Sequence, residues 1–81
     1  MKVLVIHGPN LNLLGSREPD VYGSTTLDEI NAGLEQKATE NHIELEPFQS
    51  NAEHEIVAKI QESMNEIAYI IINPGALTHT S

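Results

Sequence analysis

The chain opens with MKVLVIHGPN (residues 1–10), and the aliphatic run VLVI at residues 3–6 is the feature that decides its fold. A strand covered on one face alternates apolar and polar residues, whereas a strand covered on both faces is apolar throughout. The unbroken run therefore predicts a strand buried on both faces of a parallel sheet. We expect this strand to be the central one.

A helix is predicted after this first strand and the polar segment that follows it. Thr26 and Glu29 have the spacing of a capping box, in which the two side chains satisfy free N–H groups at a helix start. Apolar residues then recur at helical spacing, at Leu27, Ile30, Leu34 and Ala38. The pattern predicts a helix over about residues 26–40, with Asn41 as its stop signal.

A second strand and a second helix come next. Residues 43–48 have the pattern of a strand, and Pro47 places that strand at an edge of the sheet because proline cannot donate a ladder hydrogen bond. Ser50 and Glu53 repeat the capping-box spacing. An apolar stripe follows them to about residue 65, formed by Ile56, Val57, Ile60 and Met64.

The run AYIII at residues 68–72 predicts a third strand. Strands that alternate with helices through short connections form a parallel sheet with right-handed crossovers. We therefore expect an α/β fold with strands near residues 2–7, 43–48 and 68–73, in the order 2-1-3. The absence of repeats and linkers predicts a single domain over residues 1–81.

The net charge and the cysteine content limit which partners and which cellular location we expect for the protein. Twelve acidic and four basic residues give a net charge of −8, and no Lys/Arg cluster is present that could neutralise phosphates, so nucleic acid is not an expected partner. The chain has no cysteine, which excludes disulfides and thiolate metal sites. The apolar run at the amino terminus is too short for a signal peptide or a membrane span. We expect a cytoplasmic protein with no membrane partner.

Polar uncharged residues follow the first and third strands. In open α/β sheets, ligands bind at the carboxyl ends of the strands where successive connections diverge, which here lies between these two strands. We expect one cleft to gather Asn10, Asn73, Gly75 and His79. Asparagine and histidine can hold a hydroxyl, an ordered water or a developing oxyanion without adding negative charge. A structural alternative stays open, because asparagine at a strand end commonly caps its own turn and His79 suits a surface position equally well.

The loop GSREPDVYG (residues 15–23) places the only arginine of the chain, Arg17, five residues before Tyr22. A tyrosine titrates near pH 10, so a phenol that acts as a base near pH 7 needs its pKa lowered by about three units, and a close guanidinium can lower it. The alternative is a solvated surface ion pair between Arg17 and a neighbouring acid. The two glycines that end the loop are compatible with a hinged lid or with a static turn.

Cofactor motifs are not found. Gly8 and its neighbours match neither a Walker A loop nor a GxGxxG fingerprint, so a nucleotide cofactor has no support and a phosphate-binding module is disfavoured. The four histidines of the chain lack ligand-like spacing. We therefore expect neither a cofactor nor a metal ion.

Four motifs in order resemble those of the type II 3-dehydroquinate dehydratase family: GPNLNLLGSREPDVYG (8–23), TTLDEI (25–30), QSNAE (49–53) and IIINPGALTHTS (70–81). The resemblance covers essentially the whole chain. It implies a flavodoxin-like fold, no cofactor and a homododecamer built from trimers. It also implies a lyase activity, the reversible anti elimination of water from 3-dehydroquinate to 3-dehydroshikimate through an enolate, in the shikimate or quinate pathway.

The same resemblance assigns roles to residues of the cleft and the loop. It implies that Tyr22 is the proton acceptor and that Arg17 activates it and stabilises the transition state. Asn10 is implied to contact the enolate through an ordered water. The substrate-binding positions fall on Asn73, Gly75 and His79.

The family pattern continues beyond this chain, so the resemblance implies an amino-terminal half truncated after the third strand. On that basis we expect residues 1–81 to lack the histidine that protonates the departing hydroxyl, together with further contacts to the substrate. His54 also stands where the family usually has glycine. The alternative to a dehydratase is a non-catalytic, flavodoxin-like binding or assembly subunit.

Overall fold

A computed structural model describes residues 1–15 and 24–75 of the chain. The elements in chain order are β1 (Lys2–His7), a 3₁₀ turn (Leu11–Leu13), α1 (Leu27–Glu40), β2 (Glu44–Gln49), α2 (Glu53–Ser63) and β3 (Tyr69–Asn73). The three strands are parallel and lie in the order β2-β1-β3. The predicted α/β class, strand order and central first strand are therefore confirmed.

The two faces of β1 are covered by different helices. Leu4 and Ile6 are fully buried and pack with Ile56 of α2. Residues in a strand alternate between faces, so Val3, Val5 and His7 lie on the opposite side, where the His7 ring is hydrogen-bonded to α1. Burial on both faces accounts for the unbroken apolar run that predicted this strand.

The two edge strands differ in chemistry. Pro47 pairs with Val5 in register and lies in the edge strand β2, as its missing N–H required. All five residues of β3 are exposed to solvent, and the exposed fraction is 64% for Tyr69 and 57% for Ile71. The third strand is thus where the apolar run placed it, but its side chains are far less covered than those of β1.

The end of α1 explains why β2 starts one residue later than predicted. Asn41 is the last capping position, as predicted, and its side-chain NH₂ donates to the Lys37 carbonyl at 2.8 Å. His42 then adopts a left-handed conformation with φ 58°. The Ile43 N–H donates to the Ala38 carbonyl at 2.8 Å, completing a Schellman-type cap. Ile43 therefore serves the helix end, and the strand begins at Glu44.

The capping box predicted for Ser50 and Glu53 is wrong, although the helix itself is confirmed. The residue preceding α2 is Ala52, and no side chain caps the helix there. Ser50 is buried, and its hydroxyl instead accepts from the Ala52 N–H at 3.0 Å and donates to the Glu55 carboxylate. The Ser50 hydroxyl forms its hydrogen bonds within the turn that follows β2 and does not cap the helix. The helix therefore starts at Glu53, two residues later than a cap at Ser50 would place it.

Neither helix in the described part of the chain combines the length and apolar character needed to span a bilayer.

Candidate active site

The loops that leave β1 and β3 are in direct backbone contact. The Gly8 N–H donates to the Asn73 carbonyl at 2.8 Å. A Cβ atom on Gly8 would overlap the carbonyl of Pro74, and one on Gly75 would lie 3.0 Å from the Pro9 carbonyl oxygen. Gly75 also has φ +54°, a conformation that side chains disfavour. These close approaches bring the carboxyl ends of the two strands together, as the topology predicted.

Asn10 is held at the mouth of this junction by its main chain. Its φ of 68° is left-handed, and its carbonyl accepts from the Leu13 N–H at 3.0 Å to start the 3₁₀ turn. The Asn10 N–H donates to the side-chain oxygen of Asn51 at 3.0 Å. Its own side chain forms no capping bond to the turn and is exposed. Asn73, at the end of β3, is exposed as well, so both residues are accessible to solvent at this junction.

Two residues at the end of β2 belong to the same cluster, and the sequence analysis gave them no site role. The Gln49 Nε2 lies 3.1 Å from Asn51 Oδ1, 3.3 Å from the Gly8 carbonyl and 3.4 Å from Asn12 Oδ1. The predicted cleft included only the ends of β1 and β3. The signal was present in the polar run QSN (residues 49–51), which begins at the last residue of β2, because β2 is the other neighbour of β1.

His7, the last residue of β1, lies on the side of the sheet that faces α1. It is 5% exposed, and its Nε2 lies 2.8 Å from Asn31 Oδ1 in α1. Side chains alternate along β1, and position 7 falls on the side of Val3 and Val5. His7 is therefore a buried, hydrogen-bonded residue between the sheet and α1.

The base of the Arg17/Tyr22 loop is formed by two chain segments in contact. Gly15 has φ +83°, and a Cβ there would lie 2.6 Å from the Ser24 carbonyl oxygen, so only glycine fits. A cavity of about 260 Å³ lies beside this junction, lined by Asn12, Leu14, Thr26, Leu27 and Asp28. Arg17, Tyr22 and His79 lie outside the described residues, and their assigned roles stay predictions.

Charged side chains of the described sheet concentrate away from this cluster. Lys59 Nζ lies 2.9 Å from Glu46 Oε2, and Lys2 Nζ lies 3.5 Å from Glu46 Oε1. The hydrogen bond from Lys59 lowers the pKa of Glu46 from its usual value, against the opposing effect of burial. By contrast, residues 8–12, 49–51 and 73–75 are all uncharged. Asparagine, glutamine and glycine can hold an anionic molecule there without repelling it.

No group of three or more side chains that could hold a metal ion occurs among residues 1–15 and 24–75. The described cluster consists instead of neutral hydrogen-bonding groups that converge from three strand ends. Such groups suit the recognition of hydroxyls and the stabilisation of a developing oxyanion.

Comparison with known proteins identifies the family. The model of the family described as Dehydroquinase class II matches residues 1–81. The chain belongs to this family. A class II dehydroquinase fold also agrees with the geometry: the structure superposes on the type II dehydroquinase of Butyrivibrio crossotus with a TM-score of 0.92 and 46% identity, covering 100% of this chain and 57% of that one.

Curated class II dehydroquinase relatives carry the name 3-dehydroquinate dehydratase. The protein of Nitrosomonas eutropha is 60% identical over 81 residues, which cover 99% of this chain and 56% of that protein. The protein of Aeromonas salmonicida is 59% identical over 80 residues, with 99% and 54% covered. The chain spans about half the length of the curated relatives it matches.

Proposed function

We propose that the protein acts on 3-dehydroquinate and catalyses the base-side steps of its dehydration to 3-dehydroshikimate. The observation that supports the proposal is the close backbone contact between the β1 and β3 ends, beside which the exposed residues Asn10 and Asn73 lie, within a class II dehydroquinase family chain. The names of the relatives supply the substrate. The substrate is a ring acid rich in hydroxyls, and carboxamides and backbone N–H groups suit such a ligand.

The first step is the removal of a proton from the carbon next to the ketone. The Tyr22 phenolate takes this proton, and the electron pair of the broken C–H bond moves to the ketone oxygen to give an enolate. The Arg17 guanidinium makes the phenolate accessible near neutral pH by favouring the charged form. Asn10 stabilises the enolate through an ordered water, since neutral donors aimed at a developing oxyanion lower the barrier.

The second step is the collapse of the enolate. The oxygen lone pair re-forms the ketone, and the electron pair of the enolate double bond moves to form the new carbon–carbon double bond. The C–O bond on the opposite face breaks as the hydroxyl is protonated by a general acid and leaves as water. Asn73, Gly75 and His79 hold the ring in place during both steps. Only the base-side steps are assigned to residues of this chain.

A rate measurement tests this assignment. In a chain extended to the full length of its relatives, which also supplies the general acid, the appearance of the conjugated enone of the product in the ultraviolet reports turnover of 3-dehydroquinate; residues 1–81 alone should show none. Tyr22→Phe should lower the rate by about 10²–10⁴-fold, because it removes the base. Arg17→Ala should lower the rate and move the pH at which the base titrates upward, toward the ordinary tyrosine value near 10.

Tyr69→Phe is the matched control, because Tyr69 is the only other tyrosine and lies exposed in β3, at the end away from the cleft. It should leave the rate unchanged. Turnover that persists in Tyr22→Phe at the rate of Tyr69→Phe would contradict the assignment. Binding of 3-dehydroquinate without turnover or proton removal would favour a non-catalytic binding subunit.

The finer expectations on assembly and location belong to the same proposal. A net charge of −8 supports the absence of a nucleic-acid partner. We further propose a cytoplasmic location, no membrane partner and the family's homododecamer of trimers. Sedimentation velocity checks the assembly, and cell fractionation checks the location.

A further inference from the structure

The side chains of Gln49 and Asn51 form a bridge between the end of β2 and the loop after β1. We will call these two side chains the amide bridge. Gln49 lies opposite His7 in the parallel register, so the bridge stands beside the first residues of the β1 loop. The bond from the Asn10 N–H to Asn51 Oδ1 joins positions 41 apart in sequence, and no local motif supplies it.

We propose that Asn51, oriented by Gln49, is a positioning residue that holds the main chain of Asn10 in its left-handed conformation and so directs the Asn10 carboxamide into the cleft. The functional part of this inference rests on the proposed function. Asn51 would act through Asn10 and need not touch the substrate.

The hydrogen-bonding capacities of the bridge carry the first step of the argument. Asn51 Oδ1 has two lone pairs, and two donors approach it, the Asn10 N–H at 3.0 Å and the Gln49 Nε2 at 3.1 Å. The Gln49 NH₂ also faces the Gly8 carbonyl at 3.3 Å. Gln49 therefore acts as a donor, which points the oxygen of Asn51 toward Asn10.

The backbone of Asn10 carries the second step. Its φ of 68° is sterically disfavoured for every residue except glycine, and asparagine is among the more tolerant exceptions. Asn10 also precedes the 3₁₀ turn, where the N–H groups find no partner inside the turn. The bond from Asn51 supplies that partner. It offsets the conformational cost at the position whose side chain is left free for the cleft.

Asn51 accepts hydrogen bonds and Gln49 donates them, so replacing the amide by a carboxylate should be tolerated at Asn51 and harmful at Gln49. Asn51→Asp keeps an oxygen acceptor for both donors, whereas Asn51→Leu removes it. In Gln49→Glu, a carboxylate oxygen replaces the NH₂ donor and faces three other acceptor oxygens, those of Gly8, Asn12 and Asn51. Gln49→Met only removes the donor. We expect Asn51→Asp to resemble the parent and Gln49→Glu to be the more damaging of the Gln49 variants.

Amide hydrogen exchange of Asn10, measured by NMR on the free protein, reads the positioning directly. Asn51→Leu should speed exchange of this amide by about five-fold or more, the factor that corresponds to the loss of one net hydrogen bond. Asn51→Asp should restore most of the protection. Asn41→Ala is the matched control, because it deletes a side-chain hydrogen bond at the distant end of α1 and should leave Asn10 unchanged.

Turnover of 3-dehydroquinate supplies the second readout. Asn51→Leu should lower kcat more than it raises KM, because the contact of Asn10 with the enolate, through its ordered water, strengthens only as charge develops. A purely structural loss, as in Asn41→Ala, should lower the urea midpoint without this change in kcat.

The inference would be overturned by unchanged Asn10 exchange in Asn51→Leu, or by no difference between Asn51→Leu and Asn51→Asp. Loss of Asn10 protection with kcat unchanged would also overturn it, because Asn10 would then need no positioning. If the parent protein supports neither turnover nor exchange of the proton next to the ketone of 3-dehydroquinate, the proposed function fails on its own, and the amide exchange experiment still decides whether Asn51 positions Asn10.

Discussion

The absence of a side chain at Gly8 and Gly75 allows the ends of β1 and β3 to come into backbone contact. Both stand where a Cβ atom would meet the carbonyl of the facing loop, so the two strand ends approach as closely as backbones allow. Gly33 differs, because a Cβ there would have no neighbour within 4 Å and the residue lies inside α1. The same glycine-to-alanine change should therefore have opposite effects at these positions.

Gly8→Ala should lower the free energy of unfolding by about 1–3 kcal/mol, the usual cost of forcing extra atoms into a packed contact. Gly33→Ala should raise it by about 0.5–1 kcal/mol, because alanine restricts the unfolded chain and favours the helix. Urea unfolding followed by circular dichroism measures both. Equal effects of the two variants would contradict the close contact at Gly8.

The residues of the cluster were predictable to different degrees. Asn10, Asn73 and Gly75 could be placed together because the strand order brings two strand ends to one edge. Asn51 could not be assigned to Asn10, because that contact depends on the direction in which one side chain leaves the β2 turn. The contact of His7 with Asn31 could not be predicted either, because the unbroken apolar run of β1 does not show which helix covers which face.

The ends of the helices are where element-scale prediction succeeded and failed. Thr26 caps α1 as its spacing predicted, accepting from the Glu29 N–H at 3.2 Å. Ser50 has the same spacing to Glu53, yet its hydroxyl is used by the preceding turn. The capping-box spacing shows that a side chain could hydrogen-bond to the start of a helix, but the path of the preceding chain decides whether that hydrogen bond forms.

The left-handed residue that ends α1 gives a prediction at this scale. His42 occupies the position where glycine is usual, with φ 58°. His42→Gly should raise the free energy of unfolding by about 1 kcal/mol, because glycine adopts this conformation without steric cost. His54→Gly is the control and should lower the free energy by about 1 kcal/mol, since His54 lies within α2. A stabilised His54→Gly together with an unchanged His42→Gly would contradict this account of the cap.

The contact between β2 and α2 gives a prediction about pH. Lys59 lowers the pKa of Glu46, so the ionised form of Glu46 is favoured in the folded protein. Its stabilising contribution is present above the ordinary glutamate pKa and is lost as the pH falls through the lowered value. Glu46→Gln should therefore lower stability at pH 7 by about 0.5 kcal/mol, the scale of a partly exposed ion pair, and the difference should vanish in acid.

Glu35→Gln is the control for charge alone, because Glu35 lies on α1 and takes part in none of the ion pairs found among the described residues. With a net charge of −8, removing this acid should be neutral or slightly stabilising at pH 7. Urea unfolding from pH 3 to pH 8 measures both variants. A difference between Glu46→Gln and the parent that persists at pH 3 would contradict the ion pair as its cause.

The two edges of the sheet differ at the scale of the whole molecule. β2 carries Pro47 and two glutamates, which discourage pairing with another chain. The outer edge of β3 has no strand beside it among the described residues, and its exposed side chains include Ile70, Ile71 and Ile72. An uncharged apolar edge of this kind favours association with other chains.

Sedimentation velocity over a range of concentrations should therefore show self-association of the 81-residue chain. Ile71→Lys should reduce it, because a charge in an edge strand opposes pairing. Val57→Lys is the matched control, placing the same charge on the exposed surface of α2. A concentration-independent monomer would contradict the prediction, as would equal effects of the two lysines.

The overall architecture could be predicted because it depends on simple patterns. The run at residues 3–6 is apolar throughout since both faces of β1 are covered, and Pro47 leaves β2 only an edge position. The apolar pattern of β3 alone does not predict how exposed this strand is. An apolar strand has the same sequence whether or not its neighbours are present.

The central claim is that this chain carries the base side of an enolate-forming site, and proton exchange tests it most directly. In D₂O, the protein should speed the exchange of one proton on the carbon next to the ketone of 3-dehydroquinate. The loss of this proton's signal is measured by ¹H NMR. This step needs the Tyr22 base and an enolate stabilised by Asn10, and it needs no protonation of the leaving hydroxyl. We expect Tyr22→Phe to return the exchange to the protein-free rate and Tyr69→Phe to leave it fast. Exchange no faster than in the protein-free sample, or equally fast in Tyr22→Phe, would contradict the account.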